Sequence, residues 1–207
     1  LIFIMFYGGF GTNWKSARPV AAKAILLSSL GVVFTASLTA LFCRFALHID
    51  WLESLLIGSV ISSTDAASVF AVLRSRNLNL KYHTASLLEV ESGSNDPFSY
   101  MLTAVCVSAI QGKGGVQQFL LMLFLQIVLG LVFGFAVSWI SVRLLKRVRF
   151  SGNGFDAVFV VAVALLAYAA PAVLGGNGYL SAYIVGIMLG NADIRNKRNL
   201  VHFFDGI

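Results

Sequence analysis

Apolar runs long enough to cross a bilayer follow one another along this whole chain, and that repetition leaves few architectures open. A helix needs about 20 mainly apolar residues to span a hydrocarbon core of roughly 30 Å. By that measure the 207 residues divide into about seven segments: an incomplete run at 1–12, then runs near 21–47, 52–74, 85–111, 117–142, 155–174 and 177–192. Composition agrees, with 58% hydrophobic and 12% charged residues and a mean hydropathy of +0.84. An ordinary soluble domain is roughly 45–50% apolar and about 25% charged. Too little polar surface exists here to cover a soluble core. Disorder, collagen and coiled coil are excluded because apolar runs dominate and no short period recurs. The expected class is an all-α polytopic membrane protein. The chain opens on Leu1 in mid-run, with no charged n-region of a signal peptide, and ends as abruptly at Ile207. A piece of a longer polytopic chain is expected.

The charges between the runs test this division independently. Lys15, Arg18 and Lys23 follow the first run, and Arg44, His48, Asp50 and Glu53 surround the next gap. Arg74, Arg76 and Lys81 follow the third run, and Lys113 alone follows the fourth. Arg143, Lys146, Arg147 and Arg149 follow the fifth, no charge lies between Pro171 and Gly178, and Arg195, Lys197 and Arg198 follow the last. Basic and non-basic gaps alternate, as the positive-inside rule requires of one consistent topology. Loops 13–20, 75–84 and 143–153 and the tail after Asn191 are therefore expected in the cytoplasm. The net charge of +6 is spread in these small clusters rather than along a stripe, which argues against a nucleic-acid partner. Cys43 and Cys106 lie inside apolar runs and read as buried free thiols. Gly130 with Gly134, and Gly186 with Gly190, have the GxxxG spacing that suits close helix packing, within a bundle or between two copies.

Acidic residues carry the chemistry. Asp50, Glu53, Asp156, Asp193 and Asp205 sit at or beyond the ends of runs, whereas Asp65, Glu89, Glu91 and Asp96 lie inside two consecutive runs. A mid-depth carboxylate costs at least ~2.5 kcal/mol on insertion scales and is a functional signal. At ~1.5 Å per residue, Asp65 stands about 20 Å beyond Leu52 and Asp96 about 16 Å beyond Ala85, so both fall near the bilayer middle. One short loop joins the two runs, which are expected as antiparallel neighbours with the carboxylates facing. The first reads Ser62-Ser63-Thr64-Asp65-Ala66-Ala67-Ser68, whose side chains compete for backbone hydrogen bonds and predict local unwinding. Irregular backbone at this depth is tolerated only inside protein or along a water-filled cavity. The second reads Glu91-Ser92-Gly93-Ser94-Asn95-Asp96-Pro97, with Ser92 and Asp96, and Glu91 and Asn95, sharing faces at i, i+4. Gly93 and Pro97 are expected to weaken this helix. Clustered carboxylate, hydroxyl and amide oxygens suit hard cations. The competing reading is a structural polar knot of protonated, hydrogen-bonded acids.

These residues resemble the monovalent cation/proton antiporters, specifically the NhaP-type branch and its members similar to bacterial cell volume regulation protein A. That family pairs a Thr-Asp in an unwound helix, here Thr64-Asp65, with a Glu-Ser-x-x-Asn-Asp in the following helix, here Glu91 to Asp96. Asp96-Pro97 resembles the volume-regulation branch, described as potassium/proton antiporters. The stretch from Gly178 to Gly186, ending Leu189-Gly190-Asn191, and the segment Phe203-Phe204-Asp205-Gly206 are similar to later family elements. The resemblance implies that Asp96 binds cation and proton alternately, that Ser92 and Thr64 add ion ligands, and that Glu91 and Asn95 hold one another. It implies that Asp65 offsets partial charge where broken helix ends meet. Two departures stand out: Tyr7 occupies a position where the family often carries an acid, and Ala66 follows the Thr-Asp in place of the common Pro. The implied fold is an inverted-repeat, NhaA-like bundle, usually homodimeric, in a bacterial inner membrane. This chain is expected to be a fragment of it, with one helix broken around Thr64-Asp65, lacking flanking helices and soluble regulatory domains and unable to transport alone.

A carboxylate that holds either a proton or a cation releases one on loading the other, and alternating access around a midplane site turns that competition into antiport. One-for-one exchange is electroneutral, and Asn95-Asp96 resembles the family's electroneutral branch. Potassium is favoured over sodium on the resemblance alone, since both are hard cations. Neither an enzyme activity nor a cofactor is expected beyond the transported K+ or Na+ and H+. His48, His83 and His202 fall near or beyond run ends, away from the acids and from Ser92 and Ser94. A gated cation channel, which would use rings of carbonyls or charges, and an intramembrane scaffold are the alternatives.

Overall fold

The computed structural model describes the chain apart from residues 66, 67, 70, 71, 73–79, 113, 114, 148–154, 195, 196, 198, 199 and 202–207. Ala66, the loop cations Arg74, Arg76, Lys113, Arg149, Arg195 and Arg198, and the Phe203 to Gly206 segment therefore lie outside the described residues. Among the described residues every regular element is helical. They are α1 (Ile2–Gly11), the short α2 (Trp14–Ala17), α3 (Ala21–Ala46), α4 (Trp51–Ile61), a 3-10 turn (Lys81–His83), α5 (Thr84–Ile110), α6 (Val116–Arg147), α7 (Phe155–Val173) and α8 (Gly178–Asn191). Helices α3, α6 and α7 are long and apolar enough to cross a membrane, with windows of mean hydropathy 2.0, 2.6 and 2.1. The chain forms two compact units, one of Lys15–Gln126 and one of Leu1–Trp14 with Ile127–Ile207.

In the unit Lys15–Gln126, α3, α4 and α5 pack on one another. Along α3, Ala24, Ser28, Val32, Ala36, Ala40 and Cys43 recur every third or fourth residue and are buried, while Phe34, Phe42 and Phe45 point outward at 67%, 62% and 69% exposure. Small residues inside and large apolar ones outside invert the soluble pattern and fit a helix surrounded by lipid. Contact with α4 is close at Gly58, where a Cβ would overlap the Ala36 carbonyl. Helix α4 ends at Ile61. There the Ser59 carbonyl accepts the Ser62 hydroxyl at 2.7 Å and, from α5, the Ser99 hydroxyl at 2.6 Å. These bonds satisfy a carbonyl that the helix end leaves without its own partner. Ser62 to Asp65 are non-helical, and helical geometry returns at Ser68, Val69 and Val72, with the Val69 N–H on the Asp65 carbonyl at 3.2 Å. The predicted 52–74 run is therefore interrupted where its polar residues cluster. Helix α5 behaves differently: it runs unbroken through Gly93 and Pro97. Pro97 forgoes its own bond to the Gly93 carbonyl, a loss that packing against α3 and α4 absorbs, so the weakening expected there does not become a break.

In the other unit α1 packs against α7 and α8 around Phe6, Phe10, Val160, Ala164, Val185 and Leu189. Tyr7 packs at the edge of this core. Gly186 and Gly190 of α8 meet the backbone of Phe6 and Phe10, and Gly130 and Gly134 of α6 face Asn177, Leu180 and Ile184. Both GxxxG pairs thus serve contacts within the chain. Asn177 caps α8 by accepting the Leu180 N–H at 3.0 Å, and Asn191 closes it. The Asn191 amide donates to the Thr12 carbonyl at 2.8 Å and its oxygen accepts the Trp14 N–H at 2.9 Å. Helix α6 continues past the apolar run ending at 142, so Arg143, Lys146 and Arg147 sit on its last turns, where cations suit the negative end of the helix dipole. The Arg143 guanidinium lies 4.8 Å from the Trp139 ring. Cys43 and Cys106 are buried free thiols, one in α3 and one in α5.

Candidate functional site

The break after α4 brings two consecutive hydroxyls, Ser63 and Thr64, against one turn of α5. A helix would turn successive side chains about 100° apart. Unwound backbone lets both reach the same neighbour. The Thr64 hydroxyl lies 3.0 Å from the Ser92 hydroxyl, and the Asn95 amide nitrogen donates to Thr64. That nitrogen also donates to the Glu91 carboxylate one turn earlier, at 3.3 Å. With its nitrogen so engaged, Asn95 presents its carbonyl oxygen to Ser63 at 3.3 Å. Ser63 in turn donates to the Asp96 carboxylate. Ser92 and Asn95 are buried, each at 1% exposure, while Glu91, Asp96 and Ser63 are half-buried and Thr64 and Asp65 are exposed.

Each of the six site residues expected from the sequence has a definite place. Thr64, Glu91, Ser92, Asn95 and Asp96 are gathered into one chain of oxygen and amide groups spanning the break and α5. Asp65 occupies another position: its carboxylate accepts the Ser68 hydroxyl and its carbonyl begins the resumed helical stretch. The group that meets Asp96 from the broken segment is the Ser63 hydroxyl. Ser63 stood in the polar stretch noticed in the sequence but carried no assigned role. The signal that could have found it is adjacency: two hydroxyls immediately preceding the acid of an unwound turn can both face the next helix.

The donor atoms are hydroxyl, amide and carboxylate oxygens. Among the described residues no three His, Cys, Asp or Glu side chains converge as they would around a transition metal. Oxygens of this kind suit a hard cation rather than a transition metal.

Residues 1–207 match the family described as sodium/hydrogen exchanger, transmembrane. The chain is 35% identical over 208 residues to the K(+)/H(+) antiporter NhaP of Alkalimonas amylolytica, and 35% identical over 211 residues to the K(+)/H(+) antiporter NhaP2 of Shewanella sp. (strain MR-4). Each alignment takes in 100% of this chain and 36% of the relative, so the chain spans about a third of the length of these curated relatives. It is 25% identical over 206 residues to the probable Na(+)/H(+) antiporter 2 of Methanocaldococcus jannaschii, covering 96% of this chain and 48% of that one. Its fold matches the solved structure of the sodium proton antiporter MjNhaP1 from the same organism at pH 8. The TM-score is 0.77 at 23% identity, over 99% of this chain and 51% of the other. The helical elements are thus part of an antiporter-type bundle, and the chain belongs to the transmembrane sodium/hydrogen exchanger family.

Proposed function

We propose that the protein containing this chain is a secondary transporter that exchanges a monovalent cation, potassium favoured over sodium, for protons. The observation that carries this reading is the hydrogen-bonded chain joining Asp96 to Ser63 and, through Asn95, to Thr64 and Glu91 across a helix break. Asp96 binds the cation and the proton in turn, Ser92 and Thr64 add oxygen ligands, Glu91 and Asn95 hold the site in shape, and Asp65 balances the exposed helix end. A proton and a cation need the same carboxylate lone pairs, so loading one expels the other. Alternating access around such a site yields antiport, and a single carboxylate makes the exchange electroneutral. That the NhaP and NhaP2 relatives are K(+)/H(+) antiporters supports potassium. The protein is a multi-pass resident of a bacterial inner membrane, works as a homodimer in contact with lipid, and keeps its basic loops in the cytoplasm. Its cellular output is control of pH and cell volume.

Everted membrane vesicles carrying the whole protein and a pH-sensitive dye test the reading. Potassium is expected to dissipate an imposed proton gradient with saturation, sodium to do so less well and choline not at all, with rates indifferent to an imposed membrane potential. Cation flow that follows the potential and needs no counter-moving proton would mark a channel instead.

A further inference from the structure

We propose that Ser63 is an additional cation-binding residue, whose O–H turns from Asp96 to Asn95 when a cation arrives and leaves an oxygen lone pair facing the ion. This rests on the reading of Asp96 as the cation-binding carboxylate. A serine hydroxyl has one hydrogen to donate and two lone pairs. Ser63 has three acceptors within reach: the Asp96 carboxylate, the Asn95 carbonyl oxygen at 3.3 Å and the Thr64 carbonyl at 3.4 Å. One hydrogen cannot serve all three fully, so the hydroxyl is a rotor with alternative partners. Asn95 cannot turn its own oxygen away, because its amide nitrogen is committed to Thr64 and Glu91. A cation on the Asp96 oxygen repels a hydrogen aimed at the same atom. Ser63 can then donate to neutral Asn95 without losing a bond, and its oxygen faces the ion.

Neighbouring serines show why this one is available. Ser59, inside α4, spends its hydroxyl on the Leu55 carbonyl at 2.7 Å, and Ser62 spends its own on the Ser59 carbonyl at 2.7 Å. Both bond backward to α4 carbonyls, Ser59 from within the helix and Ser62 from just past its end. Ser63 is the first residue past that reach, and its hydroxyl points forward across the break to α5. The unwinding therefore frees a ligand as well as placing Thr64.

The test uses the whole protein in liposomes at one fixed pH, with potassium as the probe. Ser63→Ala is expected to raise the apparent KM for potassium about tenfold, the effect of losing one modest ligand, with the maximal rate within about twofold of wild type. Ser63→Thr, which keeps the hydroxyl, is expected to restore the KM, and Ser62→Ala to match wild type. Should Ser63→Ala not reach the membrane, Ser63→Cys carries the same test, because its soft sulfur is a poor ligand for a hard cation. A reduced maximal rate at unchanged KM would make Ser63 merely structural and overturn the inference. Wild-type kinetics in Ser63→Ala beside an inactive Asp96→Asn would overturn the Ser63 role while leaving the Asp96 reading in place. Exchange persisting in Asp96→Asn would end both.

Discussion

Asparagine at position 96 is expected to abolish cation-driven proton movement while the protein remains folded. The two side chains are nearly the same size, and the amide carbonyl of asparagine can still accept the Ser63 hydroxyl that now meets Asp96. Removing a charge at membrane depth lowers an insertion cost, so expression and thermal stability should hold or rise. What disappears is the anion. A unit charge ~3 Å from a monovalent cation at an effective dielectric of about 20 is worth about 5 kcal/mol, so cation affinity falls by more than about a thousandfold. The amide also cannot carry a proton outward. Transport in liposomes and melting temperature in detergent, measured on the same preparation, check both halves of this expectation. A variant that fails to fold would assign Asp96 to architecture; one that folds and still exchanges would leave transport with another residue.

The second large effect concerns stability. Gly186→Val is expected to destabilise the unit built from α1, α7 and α8 by about 3 kcal/mol, the upper end of typical overpacking costs. A Cβ on Gly186 would overlap the Phe6 carbonyl and come within 3.0 Å of the Phe10 nitrogen. Both obstacles are backbone, which cannot rotate out of the way as a side chain can, so α1 must separate from α8. Gly190, facing the Phe10 carbonyl, and Gly9, facing Tyr183, hold the same approach on either side. Gly31 in α3 provides the contrast, since a Cβ there meets nothing within 4 Å. Gly31→Ala removes only backbone freedom from a helix interior and is expected to stabilise by roughly 0.5–1 kcal/mol. Melting curves of the two variants should move in opposite directions.

Much of this was legible in the sequence because membrane-spanning helices announce themselves by length and hydropathy, and buried acids by their cost. The runs at 21–47 and 155–174 became α3 and α7 with their ends displaced by no more than a residue. The break at Thr64-Asp65 was legible too, since four hydroxyl side chains and an acid sit together in an otherwise apolar run. Other features followed from contacts that no local pattern carries. Pro97 looked like a breaker, yet α5 passes through it because neighbouring helices support the turn that lacks one bond. The end of α6 moved five residues beyond the apolar run, from 142 to Arg147, because its basic residues are good helix formers at the favourable end of the dipole. Ser63 was hidden for a related reason. Helical periodicity assigns it a face, but the backbone there is not helical, so only the folded chain shows that its hydroxyl meets Asp96.

Competition between proton and potassium for Asp96 is the central claim, and the most direct measurement is the apparent KM for potassium as a function of pH in the wild-type protein in liposomes. Lower pH fills more of the carboxylate with protons, so more potassium is needed to displace them. The expected result is a KM that rises as pH falls, with rates at saturating potassium converging on one value. A maximal rate that falls with pH while the KM stays constant would place the proton on a different group and contradict exchange at a shared carboxylate.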